Sequence, residues 1–240
     1  MASVTDPSRT WGGSTLAERK TQRRAALLKA AADIIGEHGT TALTTKAVCE
    51  RAGLIERYLY ESFASRDGLL LATFDDALER ASQAMITGFN QDPAAAADER
   101  LRSAFASAVD LAEAEPGAVR LLFIEASGDA VLRERAQSLQ VTLEAVGAQF
   151  LTTLSPEPRT EAETALLAAG VVGAAINVFT GWTNGRLAAD IPREIMIDVA
   201  VSVAQQIART KTSLSPAEQV RTVVGGSARQ DNRNAGIGSP

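Results

Sequence analysis

Apolar residues recur along this chain at intervals of three and four, the spacing of one face of an α-helix. Leu27, Ala31, Ile34 and Ile35 set that rhythm over 15–38, and Gly39 supplies a C-terminal stop. A short helix is expected over 45–52 with Thr44 as its N-cap; Gly53 interrupts, and a second short helix covers 56–63. Ser65-Arg66-Asp67 opens a long helix on which Leu70, Leu71, Phe74, Leu78, Ala81 and Met85 share a face. Asp92-Pro93 pairs a cap with a proline at the first helical position and predicts a helix over 94–114. Glu115-Pro116-Gly117 breaks the chain before a helix at 118–127, and Ser127-Gly128-Asp129 precedes an amphipathic stretch over 130–154. Residues 155–160 read as a loop, followed by helices over 161–185 and 193–210. Strand-like alternation nowhere rises above noise, so the expected fold class is all-α. Residues 1–14 read as a flexible arm. Residues 211–240 read as a disordered tail, with a capping-box pattern from Ser215 to Glu218.

Composition supports the helical reading, because alanine is abundant and loses no side-chain entropy in a helix. The net charge of -5 argues against a uniformly basic nucleic-acid binder. The charge is unevenly placed, however. Residues 1–70 carry ten Lys/Arg against eight Asp/Glu, leaving fourteen against twenty-one for 71–240. Six basic residues and one acid lie between Arg9 and Lys29, a basic arm ahead of an acidic body. A solvated helix face accounts for that run equally well. One cysteine, Cys49, excludes an internal disulfide framework and a paired-cysteine metal site. No apolar signal core follows the first basic residues, and the longest apolar stretch, 166–176, is about half of what a membrane helix needs. The expectation is a soluble, cytoplasmic protein with no membrane partner.

The chemistry concentrates in 43–70. Two short helices joined by a tight, glycine-containing turn are the signature of a helix-turn-helix. Val48 and Ala52 can face Leu59 and Phe63, Gly53 permits the turn, and the second helix presents Arg57, Tyr58 and Glu61 outward. Such a helix fits the major groove, which is about 12 Å wide.

The segment 27–71 resembles the DNA-binding domain of TetR-type (tetracycline-repressor-like) regulators. The matching positions are Leu27-Leu28-Lys29-Ala30-Ala31, Gly39, Thr44, Val48, Ala52-Gly53, Leu59-Tyr60, Phe63 and Ser65-Arg66-Asp67 followed by Leu69-Leu70. The resemblance implies a three-helix DNA-binding domain over 15–66 and a larger helical ligand-binding and dimerisation domain over 67–210. It assigns Thr44 to capping and phosphate contact, Lys46 to the DNA face and Tyr60 to the phosphate backbone. Arg66 stands where lysine is usual in the family, keeps the charge and reads, with Lys46, as a phosphate contact. Ile55 departs from the family's polar cap before the recognition helix, and Glu56 follows it. Arg57 and Tyr58 are candidate base readers, with an ordinary wet face as the alternative.

Other motifs carry less. Cys49 reads as a packing residue, and His38, the single histidine, cannot form a metal or catalytic pair alone. Asp75/Asp76 and Glu161/Glu163 read as solvated charge, and the glycines of 170–173 lack a P-loop lysine. No cofactor is expected. Phe74, Phe123, Glu125, Asn177 and Trp182 are candidate ligand-pocket residues, with core packing as the alternative for the aromatics. The apolar, small-residue helix around Leu166, Gly170, Gly173 and Ala174, with Val199 and Val203, is a candidate dimer interface; burial within one protomer competes with it. The resulting expectation is a homodimeric regulator that binds a pseudo-palindromic double-stranded operator as a repressor and is released by a small-molecule effector. An all-helical enzyme and a helical adaptor that binds protein alone are the rivals.

Overall fold

The computed structural model describes residues 15–154, 159–183, 185–187 and 191–210. The expected arm at 1–14, most of the 155–160 loop and the tail at 211–240 with its capping-box pattern lie outside the described residues. Among the described residues every regular element is helical. Helix α1 (Leu16–His38) starts in a reciprocal cap: Thr15 Oγ1 accepts from the Glu18 N–H, and the Thr15 N–H donates to the Glu18 carboxylate. It stops at Gly39, whose N–H donates to the Ile35 carbonyl. A 3-10 turn (Thr40–Ala42), which periodicity did not reveal, leads to α2 (Thr45–Ala52), α3 (Glu56–Ser62) and α4 (Arg66–Phe89). Ser65 caps α4 by accepting from the Gly68 N–H.

These four helices exist as a cluster because each contributes an apolar stripe to one core. Leu27, Ile35, Leu43, Val48, Leu59, Leu70 and Phe74 are fully buried there. The same core continues into Ala118, Leu121, Leu122, Leu132 and Leu139, so it crosses position 66 without a break.

Helix α5 (Ala97–Ala114) starts three residues later than the expected 94. Asp92 Oδ1 accepts from the Ala94 N–H, so this carboxylate closes a local turn and caps no helix. Pro116, expected to break the chain, begins α6 (Pro116–Arg120) at a position where its missing N–H costs nothing. The chain passes through a π-helical segment (Leu121–Glu125) into α7 (Ala126–Gly128). Helices α8 (Arg133–Leu154), α9 (Glu161–Thr183) and α10 (Arg193–Arg209) complete the described chain.

Helix α6 meets α1 backbone to backbone. A Cβ on Gly117 would lie 2.2 Å from the Ala32 carbonyl oxygen, and one on Gly36 would lie 2.7 Å from the Gly117 Cα. No other residue type fits at 117 without moving a helix. A second core joins Leu101 and Val109 of α5 to Met196, Ile197, Val201 and Ala204 of α10.

Candidate nucleic-acid interface and apolar cavity

The turn between α2 and α3 depends on Gly53, held at φ 64°, ψ 32° in the left-handed region. The Leu54 N–H donates to the Cys49 carbonyl at 2.9 Å, and buried Val48, Leu59 and Phe63 lock the two helices. Thr44 Oγ1 accepts from the Ala47 N–H at 3.2 Å, the capping role expected of it. Cys49 is buried against this core, and its thiol titrates above the ordinary range because burial disfavours the thiolate and Glu56 repels it.

Lys46 and Arg57 are open cations on this surface, each with a side chain 79% exposed. Each has an acidic neighbour four residues on: Glu50 at 3.9 Å from Lys46, and Glu61 accepting from Arg57 Nε at 2.8 Å. Such exposed pairs are weak and break readily in favour of a phosphate. Tyr60 is 57% exposed. Tyr58 is half-buried, and the Arg23 guanidinium lies 4.3 Å from its ring centroid. Arg24 packs in the same way on Phe63 at 4.4 Å and donates to the Ser62 carbonyl. Charge alone assigned both arginines to a basic arm; the fold lays them on α3, a contact across 35 to 39 positions that no local pattern signals.

Two further positions need comment. Ile55 precedes α3 with no side-chain cap, although Thr15, Thr44 and Ser65 cap the other three helices of the cluster. It is 62% exposed, and the missing cap costs about 1 kcal/mol relative to serine or aspartate. Arg66, expected at a phosphate, uses its donors inside the protein. Its Nε reaches the Leu43 carbonyl at 2.8 Å, Nη2 the Thr40 carbonyl at 2.6 Å and Nη1 Asp67 at 3.0 Å. Arg66 ties the start of α4 to the segment that leads into α2. The resemblance places Arg66 at a phosphate; within the chain its guanidinium is engaged by the fold.

Behind this cluster lies a cavity of about 180 Å³ walled by α4, α5, α6, the π segment, α8, α9 and α10. Phe105, Leu122, Phe123, Phe150, Ile176 and Phe179 supply its larger walls, with Phe123 and Phe179 edge to face at 6.1 Å. All the lining residues are apolar. Such a site accepts hydrocarbon and offers no hydrogen bond.

Of the expected pocket residues, Phe123 lines this cavity and the others do not. Phe74 is fully buried in the first core, because the α4 stripe that carries it faces α1. Asn177 lies on the exposed side of α9, where it accepts from Arg186. Trp182 lines an adjoining, more polar cleft with Arg120 and Arg186, and its indole N–H donates to the Ile191 carbonyl at 3.3 Å.

Glu125 points toward α1. It accepts from the Thr40 N–H at 3.2 Å, the Thr40 hydroxyl at 3.3 Å and Arg120 Nε at 2.8 Å. Arg120 Nη1 also reaches the Gly36 carbonyl at 3.2 Å. Burial pushes this carboxyl up, but the Thr40 and Arg120 donors together hold it below its ordinary value. The pair is a clamp on the end of α1, with no part in the cavity wall.

Among the expected interface residues, Leu166 is 69% exposed and Val199 is exposed; Ala174 and Val203 are half-buried. Gly170 and Gly173 lie exposed on α9, and nothing stands within 4 Å of where a Gly173 Cβ would be. Helix α9 is long and apolar enough to cross a membrane by length and composition alone, and little of it is buried within the protomer. Among the described residues no cluster of three or more His, Cys, Asp or Glu is placed to hold a metal ion.

Residues 27–73 match the family model described as bacterial regulatory proteins, tetR family. A curated relative, the HTH-type transcriptional activator FasR of Mycolicibacterium smegmatis, is 28% identical over 179 residues, spanning 72% of this chain and 78% of that protein. Solved structures share the fold. A TetR-like transcriptional regulator from Rhodococcus sp. RHA1 superposes with TM-score 0.59 at 21% identity, covering 85% of this chain and 96% of its own. The transcriptional regulator FadR from Bacillus subtilis, solved in complex with stearoyl-CoA, gives TM-score 0.60 at 16% identity over 77% of this chain and 97% of its own.

Proposed function

We propose, for a chain that belongs to the tetR family of bacterial regulatory proteins, that it regulates transcription as a cytoplasmic homodimer whose hold on a pseudo-palindromic operator is set by a ligand that carries a hydrocarbon chain. The observation that carries the ligand class is the wholly apolar cavity wall. A hydrocarbon chain gains about 0.8 kcal/mol per methylene buried there, whereas a polar effector would lose its hydrogen bonds. The stearoyl-CoA complex of FadR, a structure of the same fold, supports the choice of such a chain.

Functionally the chain divides into a DNA-reading part over 15–66 and a ligand-binding and dimerising part over 67–210, although one core joins them. Thr44, Lys46 and Tyr60 hold phosphates, and Arg57 and Tyr58 face the bases. Two such heads about 34 Å apart meet successive major grooves on one side of a duplex. The exposed apolar face of α9 and α10, with Leu166, Gly170, Gly173 and Val199, supports dimerisation there, since a face of that kind needs a protein partner.

Operators recovered from a random duplex pool by the full-length chain, titrated with and without stearoyl-CoA, test the proposal. Enrichment of a palindromic site and a shift of at least fivefold in its affinity are expected. Ala175→Phe, which fills the cavity, abolishes the shift and leaves operator binding intact. Failure to enrich any site, or turnover of the ligand by the protein, overturns the reading. A promoter fusion in cells with and without the gene fixes the sign of regulation. Repression is the expectation from the resemblance, and the curated relative is named an activator.

A further inference from the structure

Ile55 stands at the head of α3, the end of a reading helix whose residues meet base edges. Its backbone is extended, at φ -84° and ψ 151°, and its side chain is 62% exposed, while Leu59 four residues on is fully buried. Leu54, one residue earlier, is half-buried and packs against the same core as Leu59. The apolar contact that fixes the entry of α3 is therefore already made, by Leu54. Ile55 adds nothing to it and supplies no side-chain cap.

A lone exposed isoleucine is unremarkable elsewhere on a protein surface. Here it occupies the position where serine, threonine or aspartate would cap the helix and be at home in water. The fold of the protomer thus gains from neither end of the choice, and the reason for an aliphatic side chain lies outside the protomer. Glu56 and Arg57, which follow it, are exposed as well, so the whole head of α3 is open to a partner.

The chemistry of the groove decides what meets it. Ile55 has no donor or acceptor on its side chain, so it neither holds a phosphate nor bonds a base edge. The apolar group that base pairs display in the major groove is the C5 methyl of thymine. Resting on the operator-binding reading, we infer that Ile55 is a specificity-determining residue whose side chain packs on a thymine methyl at one position of each half-site. Such a contact follows base identity and carries no charge, so salt leaves it nearly unchanged, in contrast to the contact of Lys46.

The experiment selects operators from a random duplex pool with the full-length wild type and, in parallel, with Ile55→Ser. The wild-type pool is expected to fix thymine at one position per half-site, and the Ile55→Ser pool to relax at that position alone. Deoxyuridine then replaces thymine, one position at a time, through a half-site of the wild-type operator. This removes a methyl and leaves the hydrogen-bonding edge intact. At one position the wild type should lose about fourfold in affinity, the worth of one buried methylene-sized group. The same replacement should cost Ile55→Ser less than about 1.5-fold, and Ile55→Val, which keeps a shorter apolar side chain, an intermediate amount. Circular dichroism melts show that both variants are folded. Wild-type affinity that ignores every methyl, or an equal loss in wild type and Ile55→Ser, overturns the inference while the operator-binding reading stands. A wild type that enriches no site removes that reading and this one together.

Discussion

The Arg23 guanidinium lies over the Tyr58 ring, 4.3 Å from its centroid, and so joins the first helix of the chain to the outer face of α3. The contact covers one face of the tyrosine and carries a positive charge to the surface that would meet DNA. A half-exposed cation–π pair of this kind contributes about 0.5–1 kcal/mol. Arg23→Ala is expected to lower thermal stability slightly and operator affinity more, since it removes a charge and frees a side chain that must be ordered on binding. Arg23→Lys should recover the charge and part of the packing. Fluorescence anisotropy on one duplex at several salt concentrations checks this; equal affinities for all three proteins would leave the pair a surface ornament of α1.

Lys46 and Arg66 should part company. Lys46→Ala is expected to weaken binding to all sequences alike and reduce the magnitude of the salt slope by about one. Tyr60→Phe weakens binding without altering sequence preference. Arg66→Ala removes two bonds to backbone carbonyls, so its loss appears first as a lower melting temperature, by about 1–3 kcal/mol of stability. Circular dichroism melts beside the binding titrations separate the cases. A stable Arg66→Ala protein with weak operator binding would bear out the phosphate-contact reading.

Ile55→Ser gives α3 the side-chain cap it lacks. The variant should gain about 1 kcal/mol, seen as a rise of a few degrees in melting temperature. A melting temperature that does not rise would mean that Ile55 is held by contacts worth as much as a cap.

The Glu125 carboxyl is held below its usual value, and the sign of its pH effect follows. A carboxylate with a depressed folded-state pKa stabilises the protein above the unfolded pKa, here 4.5, and that stabilisation is lost as pH falls through the lower folded value. The wild type should therefore melt above Glu125→Gln at pH 7 and converge with it in the acid range below 4.5. A gap that stays constant with pH would assign the difference to packing and exonerate the charge.

Most of the helices were legible because each stripe of apolar residues reports its own burial. Reading Thr44 as a cap and Ser65-Arg66-Asp67 as the opening of a helix needs four residues of context and no more. What stayed hidden has its cause in contacts made across the chain. Arg23 meets Tyr58, Arg66 meets Thr40 and Glu125 meets Thr40 across 26 to 85 positions, and a single sequence carries no trace of such pairs. The π segment was illegible because Leu121–Glu125 has the composition of ordinary helix. Glu125, Asn177 and Trp182 read as pocket residues on the premise that an effector needs orienting groups; the cavity wall is apolar, and all three make their bonds elsewhere in the fold. Phe123 alone of the five candidates lines the cavity, from the inner face of the short run.

The last prediction concerns the face on which the whole mechanism depends. Gly173 sits on the outer side of α9 with open space where a Cβ would be, so a larger residue there meets nothing within its own protomer. The monomer's fold should tolerate Gly173→Leu. In the proposed dimer the same position would lie among Leu166, Gly170 and Ala174, where small residues would let two helices approach closely, and a leucine would overpack the contact at a cost of about 1–3 kcal/mol. Two-fold symmetry places the substitution twice in the interface, so the penalty can double. A protomer without its partner binds with a single head and forfeits the effective concentration that joint engagement supplies. Sedimentation should then show the variant shifting from dimer to monomer, while its helical content stays near wild type and tight operator binding is lost. A variant that sediments as a dimer and binds normally would put the interface elsewhere on the molecule, and the exposed face of α9 would need another occupant.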